Sequence, residues 1–297
     1  MKTILFLVST IFASLFTIDS VAAENHADAI VSKILSCVAK VKAADPNAIP
    51  MAFWDFDGTI IKGDITTGWI DEKEAYSGLF RACVEAGFSG ILHTSADVDS
   101  FLYDTYPKMK ALSRYIAWPA LGQIFAGADE AALEAFCRRH TESTLRPWVF
   151  SSSETILRAL EKAGVENYII SGSPDIFVKG ACECAGVPRS RAVGLRQRIS
   201  GGRLSMQLEY PLSMNEGKIE TIREIVNAKS HAYAVAAFGN SYWTDGPFMR
   251  YVATHPLPGG ASGVSIMING GATPVEYKGL FELVVQSDTV GGGAMPK

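Results

Sequence analysis

Two aspartates one residue apart, Asp55 and Asp57, follow the apolar run Met51-Ala52-Phe53-Trp54 and precede Gly58-Thr59. A short unbroken apolar run reads as a strand buried on both faces, so both carboxylates leave the end of one buried strand together. Such a pair can divide a phosphoryl transfer. Asp55 would attack phosphorus and form an aspartyl-phosphate, while Asp57 would protonate the leaving alcohol and later take a proton from the attacking water. Gly58 permits a tight turn beside the substrate, and the Thr59 hydroxyl can hold the loop or a phosphoryl oxygen. Taken alone, the same residues also describe an ordinary Asp-Gly turn with a helix cap.

Residues far along the chain favour the chemical reading. Ser171 follows the buried strand Tyr168-Ile169-Ile170, where its hydroxyl and the backbone N–H of Ser171 or Gly172 can bind a phosphoryl oxygen near a helix start. Lys218, after Asn215-Glu216-Gly217, can neutralise the charge on nucleophile and phosphoryl group. Asn240 and Asp245 can complete an oxygen site for Mg²⁺ with Asp55 and the backbone carbonyl of Asp57. Without a cation, a carboxylate attacking an anionic phosphate meets strong repulsion.

The elements that must position these groups follow from hydrophobic period and stop signals. Ile30 to Val41 forms one helical face, and Pro46 and Pro50 end it. Residues 63–149 are long helical stretches rich in aromatics, without a clear strand pattern. Beyond them, strands and helices alternate. A helix starts at Ser151-Ser152-Ser153-Glu154, and Ser173-Pro174-Asp175 carries the N-cap, N1 proline and acidic first turn of another, running to Gly186. Val193 to Tyr210 alternates around Ser200-Gly201-Gly202 as a hairpin. An amphipathic helix covers Lys218 to Val226, and Tyr233 to Phe238 is a buried strand delivering Gly239-Asn240. Val264 to Ile268 and Leu283 to Val285 are further strands. This alternation implies an α/β fold with a mainly parallel sheet. Ligands bind such sheets at the carboxyl ends of the strands, so Asp55, Ser171 and Asn240 should converge on one rim.

With Ser171, Lys218 and the stretch Gly239-Asn240-Ser241-Tyr242-Trp243-Thr244-Asp245, the segment Asp55-Phe56-Asp57-Gly58-Thr59 resembles the four ordered motifs of the haloacid dehalogenase (HAD) superfamily. The likeness is closer to its phosphoserine-phosphatase-like branch, on Phe53 to Asp64, Ile170-Ser171-Gly172-Ser173-Pro174 and Gly201-Gly202-Arg203-Leu204. It covers about residues 50 to 65 and 150 to 255. The resemblance implies a Rossmann-like core with helices on both faces (24–62 and 150–297), an inserted α-helical cap (63–149), Mg²⁺ and phosphomonoester hydrolysis. Asp57 argues against the dehalogenase branch, where no leaving group needs a proton. The fourth motif departs from the usual Gly-Asp: Asn240 offers an amide oxygen without charge, which lowers the expected metal affinity. Two other readings use the same residues, namely a non-catalytic binder of a phosphorylated ligand and a phosphotransferase delivering phosphate to an alcohol.

Met1-Lys2-Thr3, the apolar run Ile4 to Phe16 and Val21-Ala22-Ala23 fit a signal peptide spanning 1–23. The expected mature protein is secreted or periplasmic and keeps no stable membrane anchor. A net charge of −4 and the lack of a basic run argue against nucleic acid as a partner and leave a small phosphorylated metabolite. Oligomeric state is left open. Among the five cysteines, Cys83 and Cys137 are a possible bridge, while Cys182-Glu183-Cys184 matches neither a zinc nor a redox spacing. Aromatics of the insert, including Trp69, Tyr76, Phe80, Tyr106, Trp118 and Phe125, are expected mainly as its own core. Arg81, Arg114, Arg138 and Arg139 are candidates for reading a substrate carboxylate.

Overall fold

The computed structural model describes residues 26–71 and 74–292. The leader assigned to residues 1–23 lies outside them. The chain begins with α1 (26–44), β1 (Ile49–Trp54), β2 (Gly68–Ile70), β3 (Ala75–Ser77) and α2 (Leu79–Glu85). Then come α3 (Ser95–Ser100), α4 (Tyr106–Leu112), α5 (Arg114–Gln123), α6 (Glu130–His140), α7 (Ser151–Lys162), β4 (Glu166–Pro174) and α8 (Asp175–Ala181). The remainder is β5 (Ala192–Leu195), β6 (Gln197–Ser200), β7 (Arg203–Leu208), α9 (Glu216–Asn227), β8 (Ala232–Gly239), α10 (Gly246–Thr254), β9 (Val264–Ile268) and β10 (Glu282–Val284).

Six strands make one sheet in the order β10-β9-β8-β1-β4-β5, and every neighbouring pair is parallel. Alternation along β1 explains the layers. Met51 and Phe53 pack with Ile222 of α9 and Phe248, Met249 and Val252 of α10. Ala52 and Trp54 face the other way, into a cluster with Ile30 and Ile34 of α1 and Ile156, Leu157 and Leu160 of α7. Both faces of the sheet are therefore covered by helices, as a Rossmann-like α/β fold requires. On the second face Trp54 stacks on Phe238 at 3.5 Å, and its indole N–H donates to Asn167 Oδ1 at 3.0 Å. That satisfied polar contact inside an apolar layer fixes β1 against β4 and β8.

Several boundaries differ from expectation for local reasons. Pro50 lies inside β1 as its second residue, opposite Tyr233, near the strand start, where a missing N–H is tolerated. β4 runs on through Ser171, Gly172 and Ser173 to Pro174, with an irregular register against β5, so α8 begins at Asp175 with Pro174 as its N-cap. The expected hairpin over 193–210 divides: Val193 to Leu195 belongs to β5 of the main sheet, and β6 and β7 alone pair antiparallel around Gly201-Gly202. Residues 63–149 hold α2 to α6 and also the pair β2–β3, whose three-residue strands are too short to show a period. The end of the described chain returns to the start of α7, with Val290 N donating to Val149 O and Ser151 N donating to Asp288 O. No helix among the described residues is long and apolar enough to cross a membrane.

Candidate active site

Asp55 comes one residue after β1, and its backbone N–H still donates to Phe238 O of β8 at 2.9 Å. The sheet thus sets the position of this carboxylate. Past Asp57 the chain reverses at Gly58, which has φ +70°, and the Gly58 N–H is shared between Ile61 O at 2.9 Å and Gly63 O at 2.8 Å. A Cβ at position 58 would overlap the Asn240 amide, so glycine is required both by the turn and by the approach of the β8 loop.

Lys218 lies in the first turn of α9 and is wholly buried. Its Nζ donates to Asp55 Oδ1 and to Asp245 Oδ1, each at 2.7 Å. The other Asp245 oxygen accepts from the backbone N–H groups of Asn240 and Ser241, both at 3.0 Å. Asn215, the N-cap of α9 with a positive φ of 52°, accepts from Glu216 N and donates through Nδ2 to Trp243 O at 3.0 Å. The helix start carrying Lys218 is thereby tied to the loop carrying Asn240. Burial, then the Asp245 charge, pushes the Asp55 carboxyl up to about 7 against the pull of Lys218. Burial alone would lower the Lys218 ammonium, but Asp245 and Asp55 outweigh it and the net direction is up.

Asp57 has a different set of partners. Its Oδ1 accepts from Ile65 N at 2.7 Å, and its Oδ2 accepts from Ser173 Oγ at 2.7 Å and from Ser171 Oγ at 3.2 Å. Thr66 Oγ1 donates to Ser173 Oγ at 2.9 Å. Burial, followed by the charges of Asp64 and Asp55, holds the Asp57 carboxyl well above the usual range. One strand end therefore carries two acids in contrasting settings, one against a buried ammonium and one among hydroxyls. Such divergence is the pattern of an acid–base pair with separate tasks.

Both acids open on a cavity of about 540 Å³. Asp55, Asp57, Gly172 and Asn240 line it together. Ser171 and Lys218 stand behind that wall and reach it through their bonds to Asp57 and Asp55, and Asp245 stands behind Lys218. Thr59 is not on the wall; its side chain is fully buried and its hydroxyl has no hydrogen-bond partner. Asp245 is likewise fully buried and turned toward Lys218 and the turn N–H groups rather than the cavity. Opposite, the wall is made by Trp69, Tyr106, Lys110, Arg114 and Trp118. Trp118 lies so close to Gly172 that a Cβ there would stand 2.6 Å from its ring. Of the four arginines raised from the sequence only Arg114 lines this cavity, its guanidinium 4.3 Å above the Trp243 ring. Arg81 is instead paired with Asp99. Phe80 and Phe125 belong to the interior of the helical segment, as expected.

Ser173, Thr66, Asp64 and Lys110 are the site residues that sequence reasoning missed. Ser173 reads as a helix cap, and the other three carry no spacing signal.

Among the described residues no group of three or more His, Cys, Asp or Glu side chains could hold a metal on its own. Mg²⁺ makes no such demand: it keeps several waters and is commonly bound by one or two carboxylates together with substrate phosphate. The Asp55 carboxylate and Asn240 amide share the wall with Asp57, and three carboxylates, Asp55, Asp57 and Asp245, stand against a single buried ammonium that pairs with only two of them, Asp55 and Asp245. This excess of acidic groups and its oxygen donors fit a divalent cation.

The model of the family described as haloacid dehalogenase-like hydrolase matches residues 52–250. The chain belongs to that family. Comparison with curated proteins returned no match. Similar solved structures include a protein of unknown function from Bordetella pertussis Tohama I, with 14% identity and a TM-score of 0.56 over 80% of this chain and 99% of that one. A functionally unknown protein from Anaerococcus prevotii DSM 20548 has 13% identity and a TM-score of 0.51 over 82% and 86%. A phosphoserine phosphohydrolase-like protein from Francisella tularensis has 14% identity and a TM-score of 0.45 over 80% and 94%. At such identities the likeness speaks to the fold alone.

Proposed function

We propose that the chain is a Mg²⁺-dependent phosphatase of small phosphomonoesters, acting through an aspartyl-phosphate on Asp55. The observation that carries this reading is the Lys218 ammonium 2.7 Å from Asp55 Oδ1 at a cavity wall shared with Asp57. The bond to Lys218 occupies Oδ1 and leaves Oδ2 for attack. As the Oδ2–P bond forms and the bond from phosphorus to the leaving oxygen breaks, the proton on Asp57 passes to that oxygen. Water then attacks phosphorus, Asp57 takes its proton, and the Oδ2–P bond breaks to release phosphate. The Gly172 N–H serves the phosphoryl oxygens, the Ser171 hydroxyl helps to hold Asp57 through its bond to Oδ2, and Lys218 supplies fixed positive charge. Asp55, the Asp57 backbone carbonyl and Asn240 would hold Mg²⁺, which would supply the charge that lets an anionic nucleophile approach an anionic phosphate; Asp245 acts from behind, by holding Lys218.

In this reading residues 63–149 are the cap, and the part of the substrate remote from phosphorus meets Lys110, Arg114 and Trp118. Two cations there favour a second anionic group and disfavour a quaternary ammonium. The leader pattern of residues 1–23 supports an exported enzyme. The test is hydrolysis of a chromogenic phosphomonoester with and without Mg²⁺, by the native chain and by Asp55→Asn. The native chain should turn over only with the metal, and the variant should lose about 10⁴-fold or more in kcat while folding normally. Retained turnover in Asp55→Asn would refute the nucleophile. Phosphate appearing on an added alcohol instead of in solution would make the enzyme a phosphotransferase.

A further inference from the structure

Cys83 on α2 and Cys137 on α6 meet inside the helical segment, with their sulfurs 3.6 Å apart and both side chains fully buried. They are 54 residues apart in sequence, so the contact is made by the packing of two helices and not by chain neighbourhood. Around them lie Leu79, Phe80 and Val84 of α2 and Leu133 of α6, all apolar and buried. The other three cysteines, Cys37, Cys182 and Cys184, are also buried and unbridged.

We propose that Cys83 and Cys137 are a modification site: a dithiol that is oxidised to a disulfide joining α2 to α6. A disulfide needs its sulfurs at about 2.05 Å; two thiols already 3.6 Å apart close that gap by side-chain rotation together with a small approach of the two helices. In the oxidation both S–H bonds break and one S–S bond forms. Two protons are released, and two electrons pass to the disulfide of a thiol–disulfide exchange partner, which leaves as two thiols. Burial, then the neighbouring Cys137, pushes the Cys83 thiol upward, so this thiol is a poor nucleophile in the folded protein. The bridge therefore forms as the helices come together, when the thiols are still open to exchange, and is sealed from reduction afterwards.

The experiment uses the full chain, reduced, unfolded, and refolded in an oxidising mixture of glutathione and its disulfide. Free thiols are then alkylated under denaturing conditions, and the protein is digested without reductant. Three alkylated cysteines and one linked peptide pair containing Cys83 and Cys137 are expected. The bridged form should melt roughly 5–10 °C above the same protein kept reduced, because the crosslink closes a long loop in the unfolded chain. Five alkylated cysteines, or a bridge from Cys83 or Cys137 to any other cysteine, would overturn the proposal. Since the readout is thiol count and melting, it stands or falls independently of the phosphatase reading.

Discussion

The rim of the parallel sheet and the helical segment facing it supply the two walls of one cavity by opposite means. On the rim, short side chains at strand ends are held by buried charge: Lys218 bonded to Asp55 and Asp245, and Asp245 to two backbone N–H groups. On the facing wall, Lys110 and Arg114 are long side chains on helices, and Arg114 rests on an aromatic ring. A group fixed by desolvated partners can hold its place through a reaction, at the expense of tolerance to change. A flexible cation on a helix binds what arrives and is more easily replaced. Substitutions on the rim should therefore damage folding and chemistry together, and substitutions opposite should alter recognition.

Lys218→Met should have the largest effect. It leaves Asp55 and Asp245 buried beside each other without their counter-charge, and removing one partner of a buried pair costs about 3–5 kcal/mol. The urea midpoint should fall accordingly and turnover should vanish. An unchanged midpoint would mean that the rim is not held together by this charge.

A smaller loss is expected at the acid. Asp57→Asn should lower kcat by roughly 10²–10⁴-fold on an alkyl phosphate, whose leaving oxygen needs a proton. The loss should be much less on a nitrophenyl ester, whose leaving oxygen does not. Ser173→Ala removes the 2.7 Å bond to Asp57 Oδ2 and should show the same bias between esters at roughly tenfold or less, the worth of one hydrogen bond. Equal losses on both esters would deny Asp57 its role as acid and Ser173 its role in positioning it.

The same contrast explains what the sequence discloses. The rim residues stand where hydrophobic runs end, so Asp55, Asn240 and the strands delivering them are legible from pattern, and the sheet follows from their alternation with helices. The partners of Asp57 are not. Ser173-Pro174-Asp175 carries the signature of a helix start, yet β4 continues through it and turns Ser173 toward Asp57; a strand irregularity has no local code. Asp245 reads from the sequence as an oxygen donor for a cation, and its bonds to Lys218 and two backbone N–H groups carry no signal there. On the opposite wall nothing in the text separates Arg114 from Arg81, Arg138 and Arg139. Only packing brings one of the four to the cavity.

Arg114→Ala is the mildest and most discriminating probe of that wall. Arg114 lies over Trp243, in the same loop as Asn240, so its head group is anchored to the rim although its backbone belongs to α5. If it recognises a second anionic group, losing one charge-assisted hydrogen bond should raise KM about tenfold or somewhat more for a substrate bearing that group, with kcat little changed. A phosphomonoester without the second charge should be hydrolysed nearly as before, and Arg114→Lys should restore part of the affinity but not the planar fork of the guanidinium. A fall in kcat on both substrates would instead mean that Arg114, through Trp243, helps to hold the loop of Asn240. The two walls would then form one positioning device, and their separation into chemistry and recognition would fail.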